Sequence, residues 1–258
     1  MTSRAVATLF TLILSFAAPA AAQDVLAIGE IHDNPAHHAT QQKLVAEFQP
    51  KAIVFEMLTA EQAARITPDL RNDLDALANA LDWENSGWPD FGYYHPIMAA
   101  ASHAAIYGAG VPRDAARDLA SVGVVEAFGP DAETYGLTEA LPSDQQAARL
   151  LLQAEAHCDA LPADMLPAMI DIQRLRDAVL ARTTLAALAE TGGPVAVIAG
   201  NGHLRSDWGM PALLSRAAPE VTMRIIGQGE DGAPPAGTFD AVIDAPAVDR
   251  PDPCAAFR

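Results

Sequence analysis

Basic residues are scarce in this chain. Sixteen Lys and Arg face 33 Asp and Glu, giving a formal net charge of −17. An acidic surface of that size repels phosphate backbones and anionic lipid headgroups, which excludes nucleic acid and charged membrane surfaces as partners. Cysteine is scarcer: Cys158 and Cys254 are the only two. They could pair once in an oxidising compartment, but sequence alone does not bring their α-carbons within bonding range. Internal repeats are absent. The only compositionally biased tract is the Pro- and Gly-rich stretch near Gly229 to Gly237. No linker divides the chain into independent domains.

At the amino end, Arg4 precedes an apolar run from Ala5 to Ala18, and Ala20-Ala21-Ala22 supplies small residues for cleavage. This reads as a signal peptide over 1–22, too short to anchor in a bilayer. No cysteine near the cleavage site offers a lipid attachment. The expectation is a soluble periplasmic or secreted protein beginning at Gln23, with 23–258 as a single domain.

Within that domain, short buried runs alternate with helical spacing. Val25 to Ile28, Lys51 to Phe55, Val195 to Ala199 and Val221 to Ile226 read as parallel strands, Ala104 to Ala109 as a short one, and Phe239 to Ile243 as an edge. Helices are expected at Ala36 to Phe48, Thr59 to Ala80 (broken at Pro68), Pro96 to His103, Asp114 to Val122, Gln145 to Cys158, Ala163 to Ala189 and around Pro211 to Ser215. The fold class is therefore α/β, a mainly parallel sheet flanked by helices, with a large and mostly helical cap insertion over about 59–162.

Three strands end on chemistry. The first leads into Gly29-Glu30-Ile31-His32-Asp33-Asn34-Pro35, the second stops at Glu56, and Val195 to Ala199 runs into Gly200-Asn201-Gly202-His203. Open α/β sheets place ligands beyond the carboxyl ends of their strands. Neighbouring strands would gather Glu30, His32, Glu56 and His203 in one crevice. In both turns a glycine precedes the histidine by three, which lets the backbone turn without a Cβ clash. Two carboxylates and two imidazoles suit acid/base hydrolysis or a divalent metal. They equally suit a polar network that only fixes loops.

Aromatic residues are few, and Trp83, Trp88, Phe91, Tyr93, Tyr94 and His95 crowd one segment that Gly87, Pro89 and Gly92 are expected to keep irregular. Such a wall suits a satellite core under the cap or the face of a planar ligand, and tyrosinate is a known axial ligand of ferric haem. These segments together resemble the ChaN-like haem-binding uptake family. The resemblance runs through GEIHDNPAHH, VFEM, WENSGWP with YHPI, GVPR, HCDALP, QRLRDAVLA and AGNGHLRSDWGMP. It implies haem held near a homodimer interface, with Tyr94 as the iron ligand and Tyr93 beside it. It also implies a histidine on the haem propionates, drawn from His95, His103 and His157, haem-transport partners, and Trp88 in the binding wall. The same superfamily includes erythromycin esterases and metal-dependent proteases, so hydrolysis by Glu30, His32, Glu56 and His203 stands as the alternative. Some members look like lipoproteins; this one has no lipobox cysteine, which implies a soluble carrier.

Overall fold

Six strands run parallel in one sheet, and their order brings chemistry from distant parts of the chain to one edge. In the computed structural model, which describes residues 23–255, the strands are β1 (Val25–Glu30), β2 (Ala52–Phe55), β3 (Ala105–Gly108), β4 (Val195–Gly200), β5 (Met223–Glu230) and β6 (Ala241–Ala245). The signal peptide expected at 1–22 lies outside the described residues. The helices are α1 (Pro35–Phe48), α2 (Ala60–Ala64), α3 (Leu74–Ala80), α4 (Phe91–Ala100), α5 (Arg113–Val122), α6 (Val124–Phe128), α7 (Ser143–Ala156), α8 (Leu166–Thr191), α9 (Asn201–Leu204) and α10 (Met210–Ala217).

The strand order is β3-β2-β4-β1-β5-β6. Strand β4 inserts between β1 and β2, with Val195 in register with both Val25 and Ala52. All residues of β1, β2 and β4 are buried, as expected of strands covered on both faces. Alternation divides their side chains between two cores. Ala27, Val54 and Val197 face α8 and α10, whereas Ile28, Phe55 and Ile198 face α1, α3 and α4. The result is three layers with the sheet in the middle.

Local chemistry sets the element ends. The Asn34 side chain accepts from the Ala36 amide at 2.9 Å and Pro35 opens α1, so the turn after β1 becomes a helix start immediately. Thr59 and Gln62 form a reciprocal capping box on α2. The span expected as one interrupted helix from Thr59 to Ala80 becomes α2, a 3-10 turn at Leu70–Asn72, and α3.

The aromatic segment departs most from expectation. Rather than staying irregular until Pro96, the chain enters α4 at Phe91 and leaves it at Ala100, with Gly92 and Pro96 inside. Asp90 caps the helix through the Gly92 amide, and burial of Phe91, Tyr94, Ile97 and Met98 along one stripe outweighs the broken bond at Pro96. Within 59–162 the elements are helical apart from β3, which joins the main sheet. Cys158, just after α7, is bonded to Cys254 with α-carbons 5.4 Å apart. Arg250, on the same closing segment, bridges Asp33, beyond β1, and Glu230, the last residue of β5.

Candidate functional site

At the carboxyl ends of β1, β4 and β2 the expected polar residues do meet, arranged as two interlocked groups. Glu30, the last residue of β1, is buried and accepts three donors. His32 Nδ1 donates at 2.7 Å, the Tyr94 hydroxyl at 2.9 Å and Gln41 Nε2 at 2.7 Å. His38 closes this shell, donating through Nε2 to the His32 carbonyl at 2.8 Å. The second group is centred on His203 in α9. Its Nδ1 donates to Asp177 at 2.6 Å and its Nε2 lies 3.3 Å from Glu56 Oε1, while Glu56 Oε2 accepts the Gly200 amide at 2.8 Å.

Glycine joins the two groups, though by supplying space and not through an unusual turn, since neither Gly29 nor Gly200 adopts positive φ. A Cβ on Gly200 would stand 3.0 Å from His32 Nε2 and 3.6 Å from Glu56 Oε2, so the bare backbone is what lets these two side chains converge above it. A Cβ on Gly29 would overlap Asn201 Oδ1, which accepts the Gln228 amide and ties β4 to β5.

The charges follow from the contacts. Burial alone would neutralise His203, but the Glu56 charge and the Asp177 bond raise it to about 10, so it is an imidazolium at neutral pH. Burial would raise Glu56, yet the His203 charge and bond, the His32 charge and the Gly200 amide hold it down at about 2. Asp177 moves the other way: its burial outweighs its His203 bond and raises it, because one imidazolium cannot fully compensate two buried carboxylates. His32, a third exposed, is also raised, since the Glu30 bond and the Glu56 and Glu30 charges outweigh its desolvation. Its ring meets Trp88 edge-on at 4.8 Å between centroids.

The aromatic segment mostly builds core. Trp83, Phe91 and Tyr94 are buried against one another, with Trp83 centroids 4.9 Å from Phe91 and 5.2 Å from Tyr94. Tyr94, expected as an iron ligand, is fully enclosed and its hydroxyl is committed to Glu30. Burial and the nearby Glu30 carboxylate push that phenol above its ordinary pKa. In this structure the Tyr94 hydroxyl is spent on holding the Glu30 carboxylate. Tyr93, next to it, is half-buried, stacks on His38 at 5.1 Å, and its hydroxyl makes no hydrogen bond among the described residues.

The remaining expected ligands are scattered. His95 donates to the Arg71 carbonyl at 2.9 Å, and His157 caps α7 through the Gln153 carbonyl at 2.8 Å. Helix α7 packs on α8, across the sheet from α4, so this chain does not bring His157 to the aromatic segment. A divalent metal on Glu30, His32, Glu56 and His203 is not supported either. Among the described residues no group of three or more His, Cys, Asp or Glu is disposed to hold an ion. Sequence reasoning missed Gln41 and Asp177. Asp177 carried a visible signal, an acid between Leu175 and Ala178 on the apolar stripe of α8.

Beside Glu56 and Trp88 opens a cavity of about 410 Å³. Among the described residues no helix is long and apolar enough to cross a membrane.

The fold is shared with ChaN of Campylobacter jejuni, a protein that binds haem cofacially. The two are 16% identical, with a TM-score of 0.57 over 81% of this chain and 82% of that one. The type III effector HopBA1 is 13% identical, with a TM-score of 0.45 over 86% of this chain and 88% of its own. Among curated proteins no relative matches the chain. Residues 16–214 match the family described as haem-binding uptake, Tiki superfamily, ChaN. A match over that span, well beyond half of the sequence, makes this chain a member of the ChaN family of haem-binding uptake proteins.

Proposed function

We propose that the protein is a periplasmic haem-binding protein acting in haem or iron uptake, and that Tyr93 supplies the iron ligand. Family membership over 16–214 carries the reading. The residues at the mouth of the crevice fit the group. Haem is a flat apolar ring with a metal that needs an axial donor, and bound ferric iron supplies the Lewis acidity that favours phenolate at neutral pH. Tyr93 offers an unengaged phenol oxygen on a rigid helix, held by its stack on His38. Trp88, half-buried and five residues earlier, offers an aromatic face beside His32. The Cys158–Cys254 bond supports an oxidising compartment. Cofacial binding in the Campylobacter protein supports a homodimer, in which a second copy covers the ring face that one copy leaves in water.

The test is a haemin titration followed by absorbance. Tyr93→Phe should erase the charge-transfer band of a ferric phenolate while leaving the fold intact; Tyr94→Phe should keep the band. A band that survives in Tyr93→Phe and vanishes in Tyr94→Phe would reverse the assignment. Light scattering of the haemin-saturated protein should give a dimer, and a monomer at saturation would reject the shared site.

A second reading, hydrolysis, is favoured by one observation. His32 is partly open, oriented by Glu30, and faces an imidazolium–carboxylate pair across Gly200. In that reading His32 takes a proton from water through Nε2, while Glu30 orients the ring through Nδ1. His32→Ala should abolish turnover of any ester or peptide found to be cleaved; undiminished turnover removes His32 from the mechanism.

A further inference from the structure

The cavity beside Glu56 reverses the sign of the chain around it. In a protein of formal charge −17, its lining includes two guanidinium groups, Arg113 and Arg176, and a single acid, Glu56. That acid pairs with protonated His203, which it shares with Asp177, so the two arginines remain in excess. The remaining polar lining is neutral, with Gln62 and Asn85 among it. The space is thus set up for an anion.

The two guanidiniums differ in exposure, Arg113 being exposed and Arg176 half-buried. Arg113, at the start of α5, donates through Nη2 to the Ser86 carbonyl at 2.8 Å. Its place is made by Gly87, where φ is +80° and any Cβ would collide with the guanidinium. Arg176 comes from α8. Its neighbours on that helix are engaged: Arg174 donates to the carbonyls of Gly136, Leu137 and Glu139, and Arg182 to that of Phe128. Arg176 makes no hydrogen bond or ion pair among the described residues. A guanidinium drawn partly out of water without a counter-charge is matched by a carboxylate or phosphate, often in bidentate fashion.

Trp88 lines the same cavity, so an anion held there continues onto an aromatic surface. We propose that Arg113 and Arg176 form a carboxylate-binding site that takes the acidic edge of an apolar ligand lying against Trp88. Under the haem reading, on which this assignment rests, that edge is the pair of propionates. The histidines expected for that role, His95, His103 and His157, do not line the cavity.

The experiment compares haemin with its dimethyl ester, which keeps the iron and ring but has no carboxylates. Both are titrated into the full-length mature protein by absorbance. Wild type should prefer haemin by at least tenfold, the scale of one charge-assisted bond. Arg176→Gln and Arg113→Gln should each cut that preference, and the double variant should bind both porphyrins with the affinity that wild type has for the ester. Arg224→Gln removes the same charge from an exposed position on β5 and should leave the preference intact. Unchanged melting temperatures would show that the variants fold. Porphyrin binding without preference in wild type, or a preference that survives the double variant, overturns the arginine site and leaves the haem reading standing. Wild type that binds neither porphyrin overturns both.

Discussion

The Glu56–His203 pair makes a quantitative demand on stability. Holding Glu56 down from 4.5 to about 2 corresponds to about 3 kcal/mol of preference for the charged carboxylate in the folded state. Glu56→Gln keeps the volume and still offers an oxygen to the Gly200 amide, but leaves the buried imidazolium with Asp177 alone. Urea unfolding at pH 5 to 6.5 should therefore show a loss of about 3 kcal/mol, near the lower end of what breaking a buried ion pair costs.

The pH dependence follows from the direction of each shift. Glu56 is depressed in the fold, so its contribution is present above 4.5 and lost as pH falls toward 2. His203 is raised, so its contribution is complete below 6.5 and lost as pH climbs toward 10. The difference between wild type and variant should thus form a plateau that closes on both sides. In the variant, proton NMR should find the His203 pKa well below that of wild type. A loss equally large at pH 2 and pH 6, or one smaller than about 1 kcal/mol at pH 6, would refute the assignment of charge to this pair.

Two other perturbations test the frame around the site. Reduction of Cys158–Cys254, or replacement of both by serine, opens a loop of 96 residues and should cost about 4–5 kcal/mol in urea unfolding if chain entropy dominates. Gly29→Ala drives a methyl into Asn201 Oδ1 and should cost about 2–4 kcal/mol by breaking the Asn201–Gln228 tie. Gly202→Ala meets nothing within 4 Å and should stay within about 0.5 kcal/mol of wild type.

The strand ends were legible because burial on both faces writes an uninterrupted apolar run. A run that stops at Glu30, Glu56 or Gly200 announces where the sheet ends and side-chain chemistry begins. The meeting of Glu30, His32, Glu56 and His203 followed once those strands proved to be neighbours. Which phenol faced outward was not legible. Tyr93 and Tyr94 are adjacent, and only the helical phase of α4 decides which of them turns toward Glu30. That phase was hidden by Gly92 and Pro96, whose local preferences oppose the helix that tertiary burial imposes. Asp177 was overlooked for a related reason, since its partner is reached only through the packing of α8 under α9. Arg176 gave no signal beyond its charge, and its meaning came from what surrounds it.

The insertion of β4 between β1 and β2 governs how this chain can reach its native state. Until residue 195 has been added, β1 and β2 have no partner for their facing edges, because Val195 pairs with both. Glu30 and Glu56 are therefore made long before any polypeptide exists that can join them. The contacts that create the crevice span most of the sequence, which slows their formation relative to the local helices. Any fragment ending before β4 carries two apolar strands with open edges and no crevice. The polar centre is thus a late product of folding, assembled only once β4 joins β1 to β2.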